Sequence, residues 1–166
     1  MVNSNQITKI SNKIVVEFYN NTNLLYGCLN EKCTNKTCPT MKIGEQIEYL
    51  WEDGKEFLKP TRVSAPHYVV FLMNWIEMLL NSEKVFPSNA KFPEKFPLVI
   101  KKIFKRLFRV YAHLYYYHYD ECINLGIDKH LNTVFKHFIC FVNEFELISQ
   151  KELKILKNVI NELLQE

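Results

Sequence analysis

LVIKKIFKRLFRVYAHLYYYHY, residues 98–119, decides the fold. Ile100, Ile103, Phe104, Leu107, Tyr111 and Leu114 recur at helical spacing, which predicts a long helix over 98–119 with one face in a core. Lys101, Lys102, Lys105, Arg106 and Arg109 fall on the opposite side, and the stretch contains no acid. Five like charges on one face repel one another unless an anion visits. Guanidinium groups grip phosphate oxygens bidentately, so Lys105, Arg106 and Arg109, at i, i+1 and i+4, predict convergence on one phosphate. Nucleic acid offers the same phosphates, so the patch alone does not choose between a phosphorylated protein and a nucleic acid.

The same helix carries His113 and, near its end, His118. Their partners are sought in the loop Cys28 to Gly44, where Cys33-x4-Cys38-Pro39 offers two thiolates, half of a tetrahedral zinc site. The pairs lie too far apart in sequence for a zinc-finger module, which has roughly a dozen residues between them. Residues five apart on a straight helix point about 140° apart. Both histidines reach one ion only if the helix is distorted or finished by about His118. By spacing, Cys122, four residues after His118, and Cys28, five before Cys33, remain rival ligands. Four protein ligands leave no position for water, so this set predicts a structural rather than a catalytic ion.

Outward from the central helix, Ile14, Val15, Phe18 and Leu25 predict a helix over 12–25 that ends at Gly27. Asp53-Gly54 between aromatic flanks is a hairpin signal within 45–62. Ser64 caps a helix to about Asn81, with Pro66 in its first turn. Three prolines make 85–97 a loop, and a strongly apolar helix is expected over 130–145. Ser149 and Glu152 form a capping box that opens a last helix through Leu164. Residues 1–12 are expected to be a flexible tail and 13–166 a single domain. Trp51 and Trp75 are expected in the core, Cys140 as a buried free thiol, and Cys122 in packing.

The totals agree with a mostly α protein. Hydrophobic residues make up 48% and there are only four glycines among 166 residues, which favours packed helices over a turn-rich sandwich. The net charge of +3 is too mild for a dedicated nucleic-acid binder, so any basic function is local. No signal-peptide core and no apolar run of membrane-spanning length is present, and the five cysteines read as ligands or core residues of a reducing compartment, cytoplasmic or nuclear.

Several strings together resemble the Mob (Mps-one-binder, or phocein) kinase activators: LLYG at 24–27, Cys33-x4-Cys38-Pro39, WEDG at 51–54, KP at 59–60, SAPHY at 64–68, VFPS at 85–88, KRLFRVYAH at 105–113 and HLNTVFKHFICFVNEFELI at 130–148. The resemblance implies a Mob-like helical bundle with a short β-hairpin, one structural Zn2+ and no catalytic activity. It implies a monomeric adaptor that activates a downstream kinase of the nuclear Dbf2-related or large-tumour-suppressor class. It also implies docking of phosphothreonine segments of an upstream Ste20-like kinase or scaffold, in mitotic-exit or Hippo-like signalling. By resemblance, Cys33, Cys38, His113 and His118 are the zinc ligands, Lys105, Arg106 and Arg109 the phosphothreonine pocket, and Glu17 and His137 kinase contacts. Glu17 stands where the family usually has Asp. The Glu-Trp pair ahead of the first family helix reads Lys9-Ile10, the extension bearing regulatory threonines is expected to be missing, and the middle histidine of the family's H-x2-H-x-H string is Tyr116.

Two other classes compete on the residues. A zinc hydrolase needs an open coordination position and a carboxylate base, and Glu31, Asp120 and Glu121 match no catalytic spacing. A nucleic-acid module would use the basic helix with Tyr115–Tyr119 as stacking platforms, although tyrosines at helical spacing more often pack. The non-enzymatic adaptor is the leading expectation.

Overall fold

The computed structural model describes residues 4–165 and shows a mostly helical domain. Its elements are α1 (Ser4–Ile7), α2 (Asn12–Gly27), β1 (Lys42–Ile43), β2 (Ile47–Glu48), α3 (Ala65–Leu80), α4 (Phe96–Tyr117), α5 (Tyr119–Asn124), α6 (Asp128–Glu144), α7 (Gln150–Leu153) and α8 (Lys157–Gln165), with a 3-10 turn at Lys154–Leu156.

The central helix α4 is buried on most of its circumference, from Phe96 to Leu114, because α2 and α3 pack on it and β1 and α5 close its C-terminal end. Each neighbour presents a helical stripe. In α2 this is Val15, Phe18, Thr22 and Leu25 behind the Ser11 cap, and in α6 it is Leu131, Val134, Phe135, Phe138 and Val142. The stripes meet in an aromatic cluster. Phe18 stands edge-on to Phe104 and Phe138, and Tyr111 lies 5.1 Å from both Phe135 and Phe138. Tyr111 is fully buried, and its hydroxyl is satisfied by Thr22 at 2.9 Å. Ser64 caps α3 as expected, accepting from the His67 amide at 3.2 Å.

Four expectations are corrected. Residues 1–12 are not all loose: Ile7 and Ile10 are buried in the core, α1 included in the packing; residues 1–3 lie outside the described residues. The hairpin is not at Asp53-Gly54. It is β1–β2, antiparallel with Lys42 opposite Glu48, turned by Gly44 at φ 63° with the Tyr116 hydroxyl against it. At 51–61 a single bridge, Trp51 to Thr61, closes the loop. Asp53 accounts for this: its amide, which the next rung would use, donates instead to the Phe57 carbonyl at 3.1 Å, its carboxylate accepts the Lys55 and Phe57 amides at 2.9 and 3.0 Å, and Pro60 has no amide hydrogen. The last helix is broken into α7, the 3-10 turn and α8. Ser149 caps α7, accepting from the Glu152 amide at 3.3 Å, but the Glu152 carboxylate is diverted to Lys105. Cys140 is exposed, on the outward side of α6, whereas Cys122 is buried as expected. Trp51 is fully buried and Trp75 partly so.

Candidate metal centre and anion cleft

The C-terminal end of α4 resolves the problem of two histidines five residues apart. His113 lies inside the helix, whereas His118 has left it, at φ −127° and ψ 11°, and α5 begins at the next residue. That break turns the His118 ring back toward His113. Opposite them, Cys33 and Cys38 sit on a knuckle that its own threonines hold. The Thr34 amide donates to Thr37 Oγ1 at 2.9 Å, the Thr37 amide donates to Thr34 Oγ1 at 3.1 Å, and the Cys38 amide donates to the Thr34 carbonyl at 2.8 Å. Ser64, the α3 cap, donates to Asn35 Oδ1 at 2.6 Å and fastens the knuckle to α3.

Cys33, Cys38, His113 and His118 are all buried, and their ligand atoms lie within 4.8 Å of one another. The edges are 3.5 Å from Cys33 Sγ to His113 Nε2, 3.4 Å from Cys38 Sγ to His118 Nε2, and 3.3 Å between the two Nε2 atoms. A tetrahedron with metal–sulfur bonds of about 2.3 Å and metal–nitrogen bonds of about 2.0–2.1 Å has sulfur–nitrogen edges of roughly 3.5 Å and nitrogen–nitrogen edges of roughly 3.3 Å. The cluster fits a four-coordinate metal ion of that size. Cys28 and Cys122 stand outside it, which closes the alternatives that spacing left open.

The surroundings suit a metal. His118 Nδ1 lies 2.6 Å from a Glu121 carboxylate oxygen, and His113 Nδ1 lies 3.4 Å from the Lys42 carbonyl, so each ring can present Nε2 to an ion. Burial, reinforced by His118, pushes His113 down to about 4, which keeps the ring neutral. Burial pushes the Cys33 thiol up to about 12; a bound cation reverses that preference by stabilising the thiolate. Glu121 and Lys42 were not legible as supporting residues, although Glu121 at i+3 from His118 is a signal that could have been used.

The basic residues are divided rather than lined up on one wet face. Lys101 and Lys102 are exposed, whereas Arg106 is buried. Its guanidinium packs against two indoles that meet edge to face, 4.4 Å from the Trp51 ring centre and 4.6 Å from that of Trp75, and Nη2 donates to the Glu52 carbonyl at 2.5 Å. Arg109 lies 4.6 Å from the Tyr49 ring centre, and its Nη1 donates to the Tyr68 hydroxyl at 3.1 Å. Lys105 pairs with Glu152 at 3.6 Å. Lys102, Lys105, Arg106 and Arg109 together line a cleft of about 170 Å3 with Leu50, Glu52 and Pro60. Arg106 Nη1 and Arg109 Nε are buried and, among the described residues, have no hydrogen-bond partner. Tyr49, Trp51, Tyr68 and Trp75, which aim the arginines, were missed in this role because an aromatic in sequence reads first as core.

Of the remaining candidates, Glu17 on α2 and His137 on α6 are both exposed, and the His137 ring lies 5.1 Å from that of Phe18, the residue after Glu17. Tyr115 and Tyr119 pack together and share hydrogen bonds with Asn132, whereas Tyr116 and Tyr117 are exposed. Among the described residues, no helix is long and apolar enough to cross a membrane.

Fold and site define a helical domain in which a buried Cys2His2 cluster pins an early loop to the end of the central helix, one turn beyond an arginine-lined cleft. The Mob1/phocein family model matches residues 10–156, and the chain belongs to that family, as the motif strings indicated. It is 51% identical over 150 residues to MOB kinase activator-like 1 homolog C of Dictyostelium discoideum, covering 89% of this chain and 69% of that protein. It is 52% identical over 151 residues to MOB kinase activator-like 1A of Arabidopsis thaliana, covering 90% and 70%. With MOB kinase activator 3A of Bos taurus it shares 48% over 147 residues, covering 87% and 68%.

Proposed function

We propose that the protein is a kinase co-activator with no catalysis of its own, which docks a phosphothreonine segment in the Arg106–Arg109 cleft. The observation that carries this is the cleft lined by Lys102, Lys105, Arg106 and Arg109, two of whose guanidinium nitrogens, Arg106 Nη1 and Arg109 Nε, are buried with no partner among the described residues. Buried donors are costly to leave unpaired, and a phosphate oxygen satisfies them. Each charge-assisted bond contributes roughly 1.5–3 kcal/mol, so two or three suffice for a phosphorylation-dependent switch. The small, walled cleft favours one phosphate on a peptide over the repeated phosphates of a nucleic acid. The relatives named as kinase activators supply the class of partner. In this reading the docked segment comes from a Ste20-like kinase or scaffold, and an NDR/LATS-like kinase binds the face that carries Glu17 and His137. The setting is mitotic-exit or Hippo-like signalling in the cytoplasm or nucleus.

The same reading assigns Zn2+ to Cys33, Cys38, His113 and His118 as a structural ion. With four protein ligands the ion supplies cross-linking, and Glu121 and Lys42 orient the imidazoles. A fluorescence-anisotropy titration tests the docking. Wild-type protein should prefer a phosphothreonine peptide to its unphosphorylated form by roughly tenfold or more, as one lost charge-assisted bond implies. Arg109→Ala should lose that preference while keeping its helical circular dichroism. Equal binding by the folded variant, or stronger binding of plain duplex DNA than of the peptide, would overturn the assignment.

A further inference from the structure

Lys102 lines the anion cleft together with Lys105, Arg106 and Arg109, yet it lies outside the trio proposed to hold the phosphothreonine. It stands four residues before Arg106 and seven before Arg109 on α4. At 1.5 Å of rise per residue, those intervals are about 6 Å and about 10 Å along the helix. The aromatic rings divide the cations in the same way. Lys102 Nζ lies 5.9 Å from the Trp75 ring centre, over the ring that also carries Arg106, whereas Arg109 lies against Tyr49. The buried Arg106 Nη1 and Arg109 Nε mark one end of the cleft as the place for a phosphate. Lys102 stands at the other end.

The charges leave Lys102 over. Among the described residues, ion pairs engage only Lys105 of these four cations, through Glu152. Glu52 lines the same cleft and forms no ion pair with Lys102. A phosphothreonine carries about −1.5 to −2 charges at neutral pH, which matches Arg106 and Arg109. One cation in the cleft then still lacks an anion.

We propose that Lys102 is a specificity-determining residue, which selects a phosphothreonine segment bearing a second anionic side chain, a carboxylate or another phosphate, two or three residues from the first. The proposal rests on the docking reading above and names the segment that the cleft takes. The spacing follows from chain geometry. An extended peptide covers about 3.3–3.6 Å per residue, so two or three residues reach from a phosphate between Arg106 and Arg109 to Lys102.

Fluorescent phosphothreonine peptides test it by anisotropy. One has neutral flanks. Four others carry a glutamate two or three residues before or after the phosphothreonine, and a further set carries phosphoserine at those positions. Wild-type protein should bind at least one glutamate peptide about two- to fivefold more tightly than the neutral-flanked one, as expected for a partly exposed pair. The gain should shrink at high salt. Lys102→Met should lose the gain while binding the neutral-flanked peptide within about twofold of wild type. Lys101→Met removes the same charge from a residue that does not line the cleft, and it should keep the gain. A larger gain with phosphoserine supports the proposal and identifies a doubly phosphorylated segment. No gain with either anion in wild type overturns it, as does a gain that survives in Lys102→Met or disappears equally in Lys101→Met. Failure of wild type to prefer the neutral-flanked phosphopeptide to its unphosphorylated form sinks the docking reading itself.

Discussion

Lys105 Nζ lies 3.6 Å from a carboxylate oxygen of Glu152, so an acid from α7 holds one of the three cations proposed to receive a phosphate. A carboxylate there competes with an incoming phosphate. Both side chains are partly exposed, which keeps the pair weak, on the order of 0.2–1 kcal/mol. Glu152→Gln should therefore tighten phosphopeptide binding by about two- to fivefold, an effect that shrinks at high salt. Anisotropy titrations at two ionic strengths read both quantities. An unchanged or weaker affinity in the variant would show that Glu152 does not compete.

Arg106 has a structural part apart from the docking proposed for it. Its guanidinium packs against both Trp51 and Trp75, which meet edge to face, and satisfies the Glu52 carbonyl. A lysine cannot lay a flat head against the rings or present a fork. Arg106→Lys is expected to lower the urea midpoint, at a cost of about 1–3 kcal/mol. Arg109→Lys, at a half-buried position, should cost less in stability than in phosphopeptide affinity. Identical midpoints for Arg106→Lys and wild type would contradict a structural part for the guanidinium against the two indoles.

The helices were legible because their stripes are regular: Ile100, Ile103, Phe104 and Leu107 define α4 before any contact is known. The cluster that could hold a metal was legible because Cys33-x4-Cys38 is a compact pair and because the motif strings match a family. Three features were hidden for physical reasons. The Asp53-Gly54 hairpin failed because the Asp53 amide goes to the Phe57 carbonyl and its carboxylate holds the loop through Lys55 and Phe57, a competition that the dipeptide does not reveal. The 3-10 turn at 154–156 separates α7 from α8, which packs on α6, and propensity cannot report such a break. The inward turn of Arg106 depended on two tryptophans that lie 55 and 31 residues away in sequence, at 51 and 75. Charge patterning alone places an arginine in water.

A core prediction concerns Phe138. It is fully buried, with Phe18, Phe104, Tyr111 and Phe135 all within 6.2 Å between ring centres. Phe138→Ala should cost about 3–5 kcal/mol. Phe138→Leu keeps most of the volume and should cost less than half as much. Urea denaturation separates the two, and equal losses would mean that the site collapses around either residue.

Acid should weaken the metal-stripped protein through His113. Its folded-state value, about 4, lies below the ordinary 6.5, because burial and His118 disfavour the charge. A group with a depressed folded value binds its proton more readily when the chain unfolds. Its contribution is therefore present above pH 6.5 and lost as the pH falls toward 4. At 1.36 kcal/mol per unit, the loss is on the order of 3 kcal/mol. Melting temperatures from pH 7 to pH 4 should fall in wild type and fall less in His113→Gln. Parallel curves would assign the acid lability to other groups.

Metal removal tests the proposed cross-link directly. The cluster brings the loop after α2 to the α4–α5 junction, so loss of an ion held there would free both at once. Structural zinc sites contribute on the order of 10–16 kcal/mol in small peptides, and even a fraction of that shifts the melting temperature of a domain this size by well over about 10 °C. Chelation should lower the melting temperature by at least that much, and added Zn2+ should restore it. Hydrogen exchange should rise first at residues 29–43 and 114–124, the two ends of the cross-link, before α6. Cys38→Ser should mimic the chelated state without further loss on chelation, because the set is then already broken. If wild type shows the same melting temperature with and without bound metal, Cys33, Cys38, His113 and His118 are not the bond that holds these elements together.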